Sequence, residues 1–298
     1  MRCDLHVHSR YSGPVDLPVL RHISRECYSE PKAVYETAKD RGMDLVTITD
    51  HDTIEGALEL AHLPDFIVGE EVTCELAPGR EIHLGVWDLN EGLHEGIARR
   101  RRDPESLFAW LAEKDIPACI NHPFSPLTGS RDASDFHRAF AGSLAVETLN
   151  GMMPGRTNEF ARETATRLDL PQVGGSDAHA LRQIGRAFTA VPRASTREEF
   201  LAGLRAGFSV PVGGPGSYAR LTADVFSIFV SALRENLALA LAAPLVGTIP
   251  LITFASYIRE WRGGSSNHEL YRSSAVAPGP RRPRARTAIA GFSMAAPQ

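Results

Sequence analysis

Short β-branched runs alternate with helix-forming stretches through the first two thirds of this 298-residue chain, and histidines and acids fall repeatedly where those runs end. Strands are expected at 3–7, 45–49, 66–73, 82–87, 118–121, 144–149, 171–175 and 188–191. A helix is expected at 30–41, with Ser29 as cap, Pro31 in its first turn and Gly42 as terminator. Another is expected at 104–114, capped by Asp103 and burying Leu107, Phe108 and Leu111 on one face. A third covers 158–168, and Thr196 with Glu199 forms the capping box of a fourth. The alternation predicts a parallel α/β architecture. In such a barrel the carboxyl ends of different strands converge on one face, which is where chemistry is usually placed.

The polar residues obey that rule. His6 and His8 close the first strand, Asp50 and His51 follow the second, Glu71 falls late in the third, and His122 follows Asn121. Asp177 and His179 follow a later strand, while His83 lies within one and must point inward. A spacing of two puts His6 and His8 on the same face of a strand, so both can bind one ion. Imidazole and carboxylate donors together favour a first-row transition metal, and clustered ions can generate a hydroxide while clamping a phosphate oxygen. His22, His62, His94, His137 and His268 lie outside this pattern and are read as surface or capping residues.

Composition narrows the partners. Thirty-two basic residues against 36 acidic ones leave a formal charge of −4, so no global positive field attracts nucleic acid. Cys3, Cys27, Cys74 and Cys119 show no metal or disulfide spacing and are expected as small core residues in a reducing compartment. The polar opening Met-Arg-Cys-Asp-Leu-His does not have the form of a signal peptide, so the cytoplasm is the expected location.

Taken together, the motifs Asp4-Leu-His-Val-His-Ser9, the block from Ile48 to Gly56, Gly69 to Val72, Ile82-His-Leu-Gly85, Asn121-His-Pro123 and Gly175-Ser-Asp-Ala-His179 resemble the polymerase and histidinol phosphatase superfamily, or PHP domain. They span about two thirds of the chain in the family's order. The Ser29-Glu30-Pro31 helix start and the run Asp50 to Ala57 look like a subgroup associated with glycosyltransferases. The resemblance implies a distorted (β/α)7 barrel over residues 1–213 and a phosphoester-hydrolysing site with two or three divalent ions (Zn, Mn or Fe). It also implies that His6, His8, Glu71 and Asp177 surround the first ion, His51 and His179 the second, and His83, His122 and the shared Glu71 the third. Asp50 is expected to orient a ligand from behind. His179, or else His51, is the candidate proton donor to the leaving oxygen. Family members often carry a metal-binding acid where this chain has Gly13, so Asp16, Glu26 or Glu30 is expected to stand in, or the second site is weak. Arg10, Arg131 and Arg182 are candidates to fork onto a phosphate, and Asn150 to touch substrate.

Beyond 213 the motifs stop. Gly213 to Ser217 forms a hinge into a helical appendage at 214–262, with a first helix over 221–241. Residues 237–258 carry no charge and are long enough to span a membrane, although Pro244 and Pro250 favour a broken hairpin packed on the barrel or on a partner. Residues 263–298, with the basic run Arg281 to Arg286, are expected to be a disordered tail. The favoured function is hydrolysis of a small phosphorylated metabolite or nucleotide. Nucleic acid is disfavoured because no polymerase region accompanies the motifs and nothing basic lines them. A second reading is a metal-stabilised, catalytically weak scaffold serving a membrane or glycosyltransferase partner through the C-terminal third.

Overall fold

A computed structural model describes residues 1–13, 25–129, 131–142, 144–236, 244 and 246–274. Asp16 and 275–298, like much of the uncharged run from 237, lie outside these residues. The strands are β1 (Arg2–Cys3), β2 (Val46–Ile48), β3 (Phe66–Ala77), β4 (Arg80–Trp87), β5 (Ala118–Ile120), β6 (Ala145–Asn150), β7 (Gln172–Gly175), β8 (Ala187–Ala190) and β9 (Val210–Gly213). The α-helices are α1 (Pro31–Asp40), α2 (Glu55–Leu58), α3 (Glu91–Ala98), α4 (Pro104–Glu113), α5 (Ala133–Ala141), α6 (Gly155–Leu168), α7 (Arg197–Ala206), α8 (Tyr218–Glu235) and α9 (Ile249–Ser273). Asp103 caps α4 through the Ser106 amide as expected, whereas α1 starts from Glu30 with no side-chain cap, so Ser29 is not its cap.

Six strands form one curled sheet in the order β2-β3-β4-β5-β6-β7. Its two outer strands are joined through the chain start. The Val7 carbonyl accepts the Thr49 amide, while His6 accepts from Asp177 and His8 donates to Ala178. The first residues thus lie between the beginning and the end of the sheet, and His6 and His8 face what the curl encloses. The sheet is not all parallel, which corrects the sequence expectation. β4 runs antiparallel to both β3 and β5, while the β2–β3, β5–β6 and β6–β7 pairs are parallel. The reason is local: only Pro78 and Gly79 separate β3 from β4, and a two-residue turn can return the chain only as a hairpin.

That reversal explains His83. Because β4 runs backwards, its early residues lie at the carboxyl end of the parallel strands, and His83 pairs with Thr73, two residues beyond Glu71. A second, three-stranded sheet of β1, β8 and β9 packs behind the first. Ile48, Leu84, Val86, Ile120 and Val146 are fully buried, and all four cysteines are buried and free, in keeping with their reading as core residues.

The C-terminal helices differ from expectation. The first runs from Tyr218 to Glu235 rather than over 221–241, and the second continues to Ser273. Residues 263–273 are therefore helical and not part of a tail, because Tyr271 and His268 bury aromatic rings against Phe136, Phe140 and Phe160. No helix among the described residues is long and apolar enough to cross a membrane.

Candidate metal centre

Glu71 is the hub. It sits in the middle of β3, 1% exposed, and meets five imidazoles. Its Oε2 lies 3.2 Å from His6 Nε2, 3.4 Å from His8 Nε2 and 3.3 Å from His51 Nδ1. Its Oε1 lies 3.3 Å from His83 Nδ1 and 3.2 Å from His122 Nε2, and also accepts the Asn121 amide at 2.8 Å. Asp177 closes the other side, with Oδ1 3.4 Å from His6 Nε2 and 3.2 Å from His8 Nε2. Every residue expected as a ligand is thus brought into one pocket.

Local backbone chemistry makes this possible. Asp177 and His122 adopt left-handed conformations, φ 54° and 27°, which turn the chain sharply at the strand end so that each side chain faces inward. Gly175 lets β7 approach the opening segment, since a Cβ there would fall 2.3 Å from the Cβ of His6.

Donor sets of three or four lie within 4.8 Å of one another: His6, His8 and Asp177; His6, Glu71 and His122; His51, Glu71 and His83; and His8, Glu26, His51 and His179. The residues fit a divalent cation on two counts. His6 Nε2 and His8 Nε2 are buried with no hydrogen-bond partner, although such atoms normally have one. The separations also match: two donors each about 2.1 Å from a tetrahedral ion stand about 3.4 Å apart. The overlap of the sets through Glu71 and His8 suits more than one ion.

Glu26 occupies the place that Gly13 cannot. Its Oε1 lies 3.5 Å from His51 Nε2 and 3.8 Å from His179 Nε2. Glu30 turns outward instead and pairs with Arg10, while Asp16 lies outside the described residues. The sequence offers Glu26 only as one of three acids because an insertion separates it from the HxH motif.

The charges on the metal-free cluster follow from its packing. Burial works against the carboxylates of Glu71 and Asp177, but the surrounding imidazoles outweigh it and hold both well below the usual range. Burial, reinforced by the charge of His179, lowers His8 to about 4, so its nitrogen is free to donate to a metal. Burial also opposes the charge on His179, yet Glu26 and Asp177 overcome it and raise that imidazole to about 9. A cation entering beside His179 must displace a proton.

Behind the donors stands Glu147, which sequence reasoning passes over. Its Oε1 meets His6 Nδ1 at 2.9 Å, and its Oε2 accepts the His122 amide at 2.9 Å and Asn150 Nδ2 at 2.9 Å. An acid at Nδ1 fixes the tautomer that leaves Nε2 for a metal. The signal available is an acid amid the apolar residues of β6. Ser12 does the same for His8, 2.8 Å from its Nδ1.

Several expectations are corrected. Asp50 orients no imidazole: both its oxygens accept from Ser9, the amide and the hydroxyl each at 2.6 Å. Burial raises this carboxyl to about 6, and its role is to hold the turn after the HxH pair. Asn150 is fully buried and spent on Glu147, Asp177 and the amides of Met152 and Met153, so it positions Asp177 rather than touching substrate. Arg10 pairs with Glu30 and Glu235, and Arg182 with Asp224. Arg131 is buried against Glu81, Pro123 and Thr128. Each of the three has a protein partner, Arg182 through Nε alone with its side chain 43% exposed.

A curled α/β sheet with imidazoles and carboxylates converging at one rim defines a metal-binding barrel. A family model described as PHP-associated matches residues 155–208. The uncharacterized protein MJ1587 of Methanocaldococcus jannaschii is 31% identical over 174 residues, which cover 58% of this chain and 95% of that protein. Among solved structures, PsfC from Pseudomonas syringae PB-5123 superposes with a TM-score of 0.53 at 17% identity, over 79% of this chain and 98% of that one. A two-domain protein from Bacteroides vulgatus containing a predicted PHP-like metal-dependent phosphoesterase superposes with a TM-score of 0.51 at 18% identity, over 72% of this chain. This chain spans 64% of the length of that protein. The chain therefore belongs to the same family as MJ1587, its residues 155–208 match the PHP-associated model, and its fold is similar to that of a protein containing a predicted PHP-like phosphoesterase.

Proposed function

We propose that this chain is a metal-dependent phosphoesterase acting on a small phosphorylated metabolite or nucleotide. The observation that carries the reading is the convergence of five imidazoles on Glu71, with four buried imidazole nitrogens among the described residues left without a hydrogen-bond partner. Its extension to phosphoesters is supported by the motif order and by the PHP-like phosphoesterase in the Bacteroides vulgatus protein, a likeness of fold.

His6, His8, Glu71 and Asp177 would hold one divalent ion, His8, Glu26, His51 and His179 another, and His83 and His122 with Glu71 a third; Zn, Mn and Fe suit these donors. Such ions lower the pKa of bound water and neutralise phosphate oxygens. The chain's own residues do the rest. Glu147 and Ser12 fix the tautomers of His6 and His8. Where no ion takes its place beside Glu26, His179, about a fifth exposed and with His51 the donor best placed toward solvent, holds a proton that can pass to the leaving oxygen. With Arg10, Arg131 and Arg182 each paired to a protein partner, the charge that binds phosphate falls mainly to the metal cluster.

The second reading, a catalytically weak scaffold, is argued from Gly13; the presence of Glu26 beside His51 supports the enzyme reading over it. Association with a membrane or glycosyltransferase through the C-terminal third stays within the proposal, supported by the exposure of Leu251, Ile252 and Phe254. The test is elemental analysis of the purified chain together with turnover of an aryl phosphate and a panel of phosphorylated metabolites, with His8→Ala as control. Two or more ions per chain and turnover lost in His8→Ala are expected; full loading with no turnover on any phosphoester would overturn the proposal.

A further inference from the structure

The C-terminal helices touch the loops that carry the candidate ligands, and they do so through carboxylates. From α8, Asp224 is 2% exposed, forms an ion pair with Arg182 at 2.7 Å and accepts a hydrogen bond from Gln183, both in the loop that follows His179. At the end of the same helix, Glu235 meets Arg10 at 3.2 Å and Arg25 at 3.9 Å. Arg10 follows the His8 turn and Arg25 adjoins Glu26; the two are themselves tied by a bond from Arg25 to the Arg10 carbonyl at 3.1 Å. From α9, Glu260 is 4% exposed and accepts the Ser125 hydroxyl at 2.9 Å, in the loop that follows His122. Asn267, two turns on, donates to the Phe124 carbonyl of that loop at 3.1 Å.

The two helices act as one body. Tyr218 donates to the Pro250 carbonyl at 3.0 Å, and the hydroxyls of Thr222 and Thr253 meet at 2.8 Å. Small residues let α9 come this close. A Cβ on Gly263 would lie 2.6 Å from Pro126, and one on Gly264 2.7 Å from the Thr157 hydroxyl. Gly263 lets α9 close on the loop and Gly264 lets it close on α6, and a helix seated this way and bonded to the loop by the buried Glu260 fixes that loop's position.

Resting on the metal-binding reading above, we infer that the packed helix pair of α8 (Tyr218–Glu235) and α9 (Ile249–Ser273) is a clamp on the metal centre, holding the His179, Glu26 and His122 loops at the spacing a cation needs. Asp224 and Glu260 are its main positioning residues, because buried bonds to a charged group count for more than the half-exposed Glu235 pairs. His6 and His8, on the opening segment bonded to both ends of the sheet, and Glu71, on β3, need no such help, so the clamp acts on the other donors that loops supply. A helix pair built this way also makes residues 1–213 an incomplete metal site.

The test is binding of Mn2+ or Zn2+, each supplied alone, to the full-length wild type and to Asp224→Asn and Glu260→Gln. Metal per chain and affinity are measured beside the circular dichroism of the metal-free proteins. The expected result is a loss of affinity of about tenfold or more for at least one ion in each variant, the size seen when groups behind metal ligands are removed, with unchanged helix content. Glu159→Gln, which breaks the exposed Arg162–Glu159 pair, should bind as wild type does. Wild-type stoichiometry and affinity in both clamp variants would overturn the inference. If Asp224→Asn loses helix content, Glu235→Gln takes its place, and wild-type binding there and in Glu260→Gln overturns it equally. A wild type that takes up neither ion sinks the metal-binding reading itself, and the clamp with it.

Discussion

The inner and outer parts of the candidate centre are built differently. Around Glu71 the donors stand on or directly after strands: His6 and His8 on the opening segment, His83 on β4, His122 after β5. Hydrogen-bonded neighbours fix those positions, and the acid is almost wholly buried. At the rim, Glu26, His51 and His179 come from loops, with side chains about a fifth to a quarter exposed. The inner set is organised by the sheet itself. The outer set depends on what holds its loops, which is the kind of dependence that makes a site adjustable.

The comparison can be broken most severely at its hub. Glu71→Gln removes the one negative charge shared by five imidazoles, so metal content should fall to near zero at every position, read by elemental analysis. If that variant retains a full complement, the inner set is not organised around Glu71. A smaller effect is expected at the rim: Glu26→Gln should lose one ion and keep the rest, because His6, His8, Glu71 and Asp177 remain intact. Loss of all metal in that variant would show that the two regions are one.

The mildest test is pH. In the metal-free protein Glu26 is held at about 2: burial would raise it, but the neighbouring imidazoles of His179 and His51 prevail. Its folded value lies below the unfolded one, so its contribution is full above about 4.5 and fades as pH falls toward 2. His179, raised to about 9, contributes fully below about 6.5 and loses that contribution as pH rises through 9. The melting temperature of metal-free wild type should therefore exceed that of Glu26→Gln most between about pH 4.5 and 6.5, with the gap narrowing on either side. A gap that is flat across pH would mean that the rim pair does not titrate as a unit.

Most strand positions, though not β9 or the bounds of β1, the polar residues near their ends and the resemblance to the PHP superfamily could be recognised before any coordinates, because each depends on residues close in sequence. A strand's period of two puts His6 and His8 on one face whatever else the chain does. What could not be recognised depended on which distant residues meet. The reversal of β4, the arrival of Glu26 from beyond an insertion, and Glu147 behind His6 are such cases. Arg10 and Arg182 show the converse: near the motifs in sequence, each is claimed by a carboxylate of α8, more than 40 residues away. Local spacing determines which side chains share a face, whereas long-range packing alone decides which charges neutralise one another. The amino-acid order therefore specified the donors, and the folded chain determined their partners.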